Sequence, residues 1–474
     1  MLTSIRFGTD GWRGVIADDF TLGNVRVCAQ GVASYLTAQG VAGRGVVVGY
    51  DTRFGSEDFA AAVAETLAAN RIPVFLCRQP TPTPVVSFSI GERAAAGAVI
   101  ITASHNPGRY NGFKYRPQYA GAASEEVLAG VQAAVDAVLA GDVPVASGGA
   151  PAGLIETFDP RPPYLKRVAA LVDLRRILAS SLRVFVDPMY GAGMGYLPAL
   201  LEEGKVWVKE IHGERNPVFP GMRAPEPVAE NLSCLRHCIK VEGAHAGLAT
   251  DGDADRLGLV DEMGRSVDNF EVYPLLLYYL LAYLEQRGPV IKTVATSSLV
   301  DRVAQRFGVP VQTTGVGFKH IAPAMVSSRA IIGGEESGGY AFGDHLPERD
   351  GILAGLRVLD LLVKAGKPLS RLLADLRAEF GPSFYRRADL PFAADLHDRA
   401  RRAIREVRPD RVAGLSVTGV RTDDGLRLDL DDGSWLLLRL SGTEPIARVA
   451  AEAPSEGRVS RLIDAGIRLM GLES

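Results

Sequence analysis

Ser104 lies in the string ITASHNP (101–107), where an apolar run ends in a turn that also holds His105 and Asn106. Lys114 follows closely, in NGFK. A serine at a strand end, beside a possible base and near a cation, is placed to act as a nucleophile. The same residues also suit an Asn-Pro turn whose serine bonds to backbone, and this segment alone does not choose between the two. It is not a hydrolase elbow, because G-x-S-x-G is absent.

Asp251, Asp253 and Asp255, in DGDADR, stand directly after the apolar Ala246–Ala249. Carboxylates at i, i+2 and i+4 offer oxygen ligands to a hard divalent cation, and without one they repel each other. Magnesium is favoured over calcium because the set is small and a phosphate can complete an octahedron. A solvated acidic turn is the alternative.

Three further segments have polar groups on glycine-rich backbone. GGEESGG (333–339) places Glu335, Glu336 and Ser337 where they could bond sugar hydroxyls. RLSGTEP (439–445) offers the Arg439 guanidinium and the Ser441 and Thr443 hydroxyls, a set suited to a phosphate dianion. RFGTDGWRG (6–14) brings Arg6 and Arg13. Each also reads as an exposed turn. No P-loop motif occurs.

The elements that must carry these segments alternate between strand and helix patterns. Gly45–Tyr50, Ile72–Leu76, Ala98–Ile101, Leu182–Val186, Ala246–Thr250, Val290–Ala295 and Ala330–Ile332 are short apolar runs, several ending in polar, glycine-bearing loops. That pattern predicts βα units with mixed, mostly parallel sheets, and ligands gather beyond the carboxyl ends of such strands. The Pro, Gly and Ala-rich stretch 141–163 reads as a linker, and Glu262–Arg265 as a second junction. Leu426–Leu430 and Ser434–Leu440 read as a hairpin around Asp431–Gly433. The expected division is 1–150, 151–261 and 262–381 as α/β/α units, and 382–474 as a smaller α+β unit. Whether the first three units repeat one plan is not visible in the residues.

The chain of 474 residues is 47% hydrophobic and 23% charged, which suits a folded globular protein of several domains. A net charge of −3 argues against nucleic acid as the main partner. The most apolar run, Val272–Leu284, is shorter than the ~20 residues of a membrane span, and reads as a buried helix with Asp268 or Asn269 at its start and Pro274 in its first turn. The N-terminus lacks a secretory pattern, and four scattered cysteines fit a reducing compartment, so a cytoplasmic location is expected. Cys234, His237 and Cys238 lack the second ligand pair of a zinc finger.

In this order, TASHNP, DGDADR, GEESGG and RLSGTEP, with the opening RFGTDGWRG, resemble the α-D-phosphohexomutase family of phosphoglucomutases and phosphomannomutases, from residue 6 to about residue 445. The resemblance implies four domains around a central cleft. It implies that Ser104 is the phosphorylated serine, and that Asp251, Asp253, Asp255 and Ser104 hold Mg²⁺. Arg13, His105 and Lys114 would assist proton transfer and hold the phosphoryl group. Arg256 would lie beside the metal loop, Glu335 and Ser337 would bind the sugar, and Arg439, Ser441, Gly442 and Thr443 would bind the phosphate not transferred. Lys319 and Arg215 resemble further positions near the substrate.

A hexose 1,6-bisphosphate would serve as intermediate and activator, and the protein would be a monomer or homodimer. GEESGG resembles the phosphoglucomutase form of the sugar loop, so glucose phosphates are expected, with mannose phosphates tolerated. Gly339 stands where mannose and glucosamine relatives carry histidine, which makes His345, in DHLPERDG, the candidate replacement. The alternatives are a phosphomannomutase or phosphoglucosamine mutase, and, from other classes, a magnesium-dependent phosphatase with Asp251 as nucleophile or a non-catalytic binding homologue.

Overall fold

The computed structural model describes residues 5–8, 10–149, 151–391, 397–440 and 446–472. Four sheets organise the chain. The first runs, in spatial order, Trp12–Val15, Tyr110–Pro117, Gly97–Ile101, Val46–Tyr50, Val74–Cys77 and Ile155–Phe158. Every residue of Val46–Tyr50 and of Gly97–Ile101 is buried, as expected for strands covered on both faces.

The second sheet runs Ser266–Val267, Leu257–Asp261, Ala246–Thr250, Arg183–Asp187, Trp207–Glu210, and the third Val311–Thr314, Val290–Thr293, Ile332–Gly334, Tyr340–Phe342. These sheets and the first repeat one plan. In each, a strand pairs parallel with an earlier neighbour and antiparallel with the strand that follows it: Gly97–Ile101 with Tyr110–Pro117, Ala246–Thr250 with Leu257–Asp261, and Ile332–Gly334 with Tyr340–Phe342. The TASHNP, DGDADR and GEESGG turns therefore occupy the same topological place in three successive units.

Two sequence readings need correction. The stretch 141–163 is not only a linker, because Ile155–Phe158 pairs parallel with Val74–Cys77 and carries the first sheet past residue 150. Glu262–Arg265 closes a hairpin between Leu257–Asp261 and Ser266–Val267, so the second sheet runs on to Val267, just past this stretch. The Asp261 carboxylate holds that turn by accepting the Met263 and Arg265 amides. The apolar run after Asp268 forms a helix, Asn269–Tyr278, capped by the Asp268 carboxylate on the Phe270 amide. Pro274 thus falls inside the helix rather than in its first turn, and Tyr279–Tyr283 continue it as a π-helical turn.

The second and third units share one hydrophobic core from Tyr164 to Phe380, which also takes in Val85 of the first. Through it runs the helix Gly351–Ala365, apolar on most sides and buried from Gly351 to Leu362. The first and fourth units have cores of their own. The fourth is an antiparallel sheet containing the Leu426–Leu430/Trp435–Leu440 hairpin, with the helix Glu456–Leu469 against it. Buried Glu452 ties it to the third unit, accepting from Ser297 Oγ at 2.9 Å and the Ser298 amide at 2.8 Å. Among the described residues, no helix is long and apolar enough to cross a membrane.

Candidate active site

Ser104 follows the strand Gly97–Ile101 in a left-handed conformation (φ 51°), which turns the chain sharply back toward Tyr110–Pro117. Its hydroxyl donates to Asp251 Oδ2 at 2.7 Å and lies 3.2 Å from His105 Nδ1. The loop around it is held from beneath by Arg53. That guanidinium is fully buried, pairs with Asp51 through Nε at 3.0 Å, and donates to the carbonyls of Ser104, Asn106, Pro107 and Tyr110. Asp51 also accepts from Thr102 Oγ1, which in turn accepts the Ser104 amide. Arg13, on the edge strand Trp12–Val15, reaches the same loop at Asn106 Oδ1, 2.5 Å away.

Asp251, Asp253 and Asp255 are wholly buried, with ligand oxygens all within 4.8 Å of one another. Asp251 Oδ1 accepts the Asp255 and Arg256 amides, so the turn is wound around its own first carboxylate. Asp253 Oδ1 and Asp255 Oδ1 are buried without a hydrogen-bond partner among the described residues. A buried anionic oxygen left unpaired is costly, and three oxygen donors around one point fit Mg²⁺. Burial, and then the neighbouring Asp253 and Asp255, push the Asp251 carboxyl well above the usual range.

A chain of charges leads from this triad to the sugar-loop candidate. Lys114 Nζ lies 2.8 Å from Asp253 and 2.9 Å from Asp10. Asp10 also pairs with Arg116 and with Arg349, each at 2.8 Å. Arg349 continues to Asp255 at 2.6 Å and to Glu335 at 3.2 Å. Burial disfavours the Lys114 charge, but Asp10, Asp253 and Asp255 outweigh it and raise its pKa, so it stays an ammonium. Burial, with Arg256, Arg13 and Lys114 nearby, holds His105 well below the ordinary histidine value, hence neutral. Glu335 is pushed up to about 7 by burial, against the opposing pull of Arg349.

A serine hydroxyl on a metal-competent carboxylate triad, ringed by fixed cations, is an apparatus for phosphoryl transfer. Four family models match in order: phosphoglucomutase/phosphomannomutase α/β/α domain I over residues 4–140, domain II over 162–264, domain III over 271–380, and the C-terminal domain over 393–468. The chain belongs to the phosphoglucomutase/phosphomannomutase family. It is 32% identical over 465 residues to the phosphoglucomutase/phosphomannomutase of Thermococcus kodakarensis, covering 98% of both chains. A Methanothermobacter thermautotrophicus protein carrying the name probable phosphoglucosamine mutase is 34% identical, with 95% of this chain and 94% of that one covered. A Thermus thermophilus crystal structure carrying a phosphomannomutase name matches with a TM-score of 0.86 at 34% identity, over 99% of this chain and 100% of that one. The chain is accordingly a phosphotransferase mutase of the phosphohexomutase family.

Not every candidate residue joins this phosphohexomutase cluster. Ser104, His105, Lys114, Arg13, the three aspartates and Glu335 do, and Ser337 is partly exposed in the Glu335–Gly339 turn beside them. Arg256 flanks the triad and pairs with Glu226 at 2.8 Å. His345 does not replace the histidine missing at Gly339. Its ring is buried between Phe88 and Tyr164, with Asp350 3.4 Å away. The space beside Gly339 belongs to Arg349, whose Cδ would stand 2.3 Å from a β-carbon there. Lys319 pairs with Glu125 at 2.7 Å and Arg215 with Glu57 at 2.6 Å. Arg439 pairs with Asp424; Ser441, Gly442 and Thr443 lie outside the described residues. Among the described residues, the aspartate triad is the only cluster of three or more His, Cys, Asp or Glu placed to hold a metal. Cys234 is an exposed free cysteine and Cys238 a partly buried one.

Asp10, Arg53, Arg116 with its buried partner Glu348, and Arg349 were missed in the sequence. Arg349 carried a usable signal: it stands in ERDG directly before a long apolar helix, and Asp350 caps that helix on the Leu353 amide at 2.8 Å. The helix start is also pinned to the metal loop, because the Gly351 amide donates to the Ala254 carbonyl. Asp51 likewise ends a fully buried strand, the position where this architecture gathers function.

Proposed function

We propose that this chain interconverts the 1- and 6-phosphates of glucose, accepting mannose phosphates as well, through a phosphoserine at Ser104 and a hexose 1,6-bisphosphate. The observation that carries the reading is the 2.7 Å contact between Ser104 Oγ and Asp251 within the buried triad. In one half-reaction the Ser104 Oγ–P bond breaks while phosphorus bonds to the free sugar hydroxyl. The sugar hydroxyl loses a proton and Ser104 regains one. In the second half-reaction the other phosphate of the bisphosphate returns to Ser104, which also accounts for activation by the bisphosphate.

Each group near the reaction has a task its environment supports. His105, neutral and 3.2 Å from Ser104 Oγ, exchanges the serine proton. Lys114 stays cationic and, with Arg13, compensates the phosphoryl charge. Mg²⁺ held by Asp251, Asp253 and Asp255 supplies positive charge at the transferring group. Arg439, with Ser441, Gly442 and Thr443, takes the phosphate that is not transferred, and Lys319, in the first turn of the helix Phe318–Ser328, and Arg215 act near the substrate. Glu335 and Ser337 hold the sugar hydroxyls. Arg349, 3.2 Å from Glu335, disfavours a further cation there, which supports a neutral hexose over the ammonium of glucosamine.

Turnover of phosphoglucosamine is the second reading, favoured by the name of the Methanothermobacter relative. Rates on glucose, mannose and glucosamine 1-phosphates, with the matching bisphosphate present, decide between them. Ser104→Ala, folded but inactive on all three, is the expected outcome; a fully active Ser104→Ala ends the proposal. Release of inorganic phosphate instead of isomeric sugar phosphate would point to a phosphatase.

A further inference from the structure

Asp424 lies in the turn between the strands Leu415–Arg421 and Leu426–Leu430, outside every motif singled out in the sequence. Its Oδ1 accepts Arg439 Nε at 3.0 Å and its Oδ2 accepts Arg439 Nη2 at 2.8 Å, a fork-to-fork pair. Oδ2 also accepts the Val316 amide at 2.9 Å, and Val316 belongs to the third unit. One carboxylate therefore joins an arginine of the fourth unit to the backbone of a different unit. Gly425 makes the approach possible. It sits at φ 91°, and a β-carbon there would be 2.3 Å from the Leu438 carbonyl oxygen and 2.6 Å from Arg439 Cγ.

The Val316 side chain packs against an apolar cluster shared by the two units, with Val294 and Ala295 from the third and Trp435 and Leu437 from the fourth. The Val316 loop, TGVGFKH, runs into the helix Phe318–Ser328 that carries Lys319. We propose that Asp424 is a positioning residue for the phosphate site: it sets the Arg439 guanidinium in one orientation and latches the fourth unit onto the Val316 loop. This rests on the reading that Arg439 binds the untransferred phosphate. A guanidinium is a planar fork with five N–H donors. With its Nε–Nη2 edge on Asp424, it turns the opposite edge toward an incoming dianion. Orienting a long side chain before binding removes an ordering cost from the binding step.

The test is steady-state kinetics of the full chain on the fastest of glucose, mannose or glucosamine 1-phosphate, with hydrogen exchange at the Val316 amide as the second readout. Asp424→Asn raises KM by about tenfold, the size of one lost charge-assisted pair, and leaves kcat within about twofold. It also speeds Val316 exchange. Arg439→Ala raises KM at least as far but leaves Val316 protected, since Asp424 still accepts its amide. If Arg439→Ala raises KM while Asp424→Asn changes neither KM nor exchange, the Asp424 proposal is overturned and the phosphate reading stands. If Arg439→Ala leaves KM unchanged, the phosphate reading fails and takes this proposal with it. Asp424→Ser, judged by the same criteria, replaces Asp424→Asn should the latter not fold.

Discussion

Gly252 meets Ser104 backbone to backbone: a β-carbon on Gly252 would stand 2.5 Å from the Ser104 carbonyl oxygen. The glycine between the first two aspartates is therefore what lets the metal loop and the serine loop close on each other. Gly252→Ala forces them apart. A displacement near 1 Å costs on the order of 100-fold in turnover. The expected result is a kcat lower by about that factor with the fold retained. Near-normal kcat would show that the loops can separate without loss.

The triad carries repulsion that a cation relieves. Mg²⁺ at about 100 times its dissociation constant is expected to stabilise the fold by about 2.7 kcal/mol, read as a rise in melting temperature that chelator reverses. Asp251→Asn separates the two effects. With chelator present at pH 7 it is at least as stable as the parent, because burial, and then Asp253 and Asp255, already disfavour the Asp251 charge. With Mg²⁺ present it gains much less than the parent. A melting temperature indifferent to Mg²⁺ in the parent removes the metal assignment.

Glu335 gives a pH signature of known sign. Its folded pKa, about 7, lies above the ordinary 4.5, so between those values the folded state holds more protons than the unfolded one. Stability from this group is greatest below the ordinary value and falls as pH rises through that window. Comparing denaturant midpoints of the parent and Glu335→Gln, the difference should move against the parent from acid to neutral pH and flatten above. A difference independent of pH rejects the shifted carboxyl.

Arg53 does no chemistry, yet its loss should be severe. Arg53→Ala strands the buried Asp51 charge and four carbonyls, a loss of about 3–5 kcal/mol. Arg53→Lys is not conservative here, since an ammonium cannot reproduce the planar fork that reaches Asp51 and the serine loop together. Urea midpoints should drop for both variants. Two variants as stable as the parent would mean that the serine loop holds its shape unaided.

Much of the local plan was legible in the chain. The strand ahead of Ser104, the strand ahead of Asp251, the Leu426–Leu440 hairpin and the Asp268 cap are encoded by neighbouring residues, through apolar runs, turn chemistry and a capping carboxylate. The repeated sheet order was not, because strand order depends on pairings between segments far apart in the chain. By residue type His345 is the candidate replacement at Gly339, whereas Arg349 holds the place, next to the Asp350 cap that starts the following helix.

By itself the sequence determined which groups exist: one hydroxyl, three carboxylates spaced for a single cation, and glycine-rich loops bearing carboxylates, hydroxyls and a guanidinium. Tertiary structure decided which of them meet. Ser104 and Asp251 are 147 positions apart, and Asp10 and Arg349 339 positions apart, yet both pairs are in contact. The physical reason is burial: a cation or anion taken out of water must find its partner wherever the fold presents one. That search runs through space, so Arg53, Asp10 and Arg349 acquire their roles only once the units are packed.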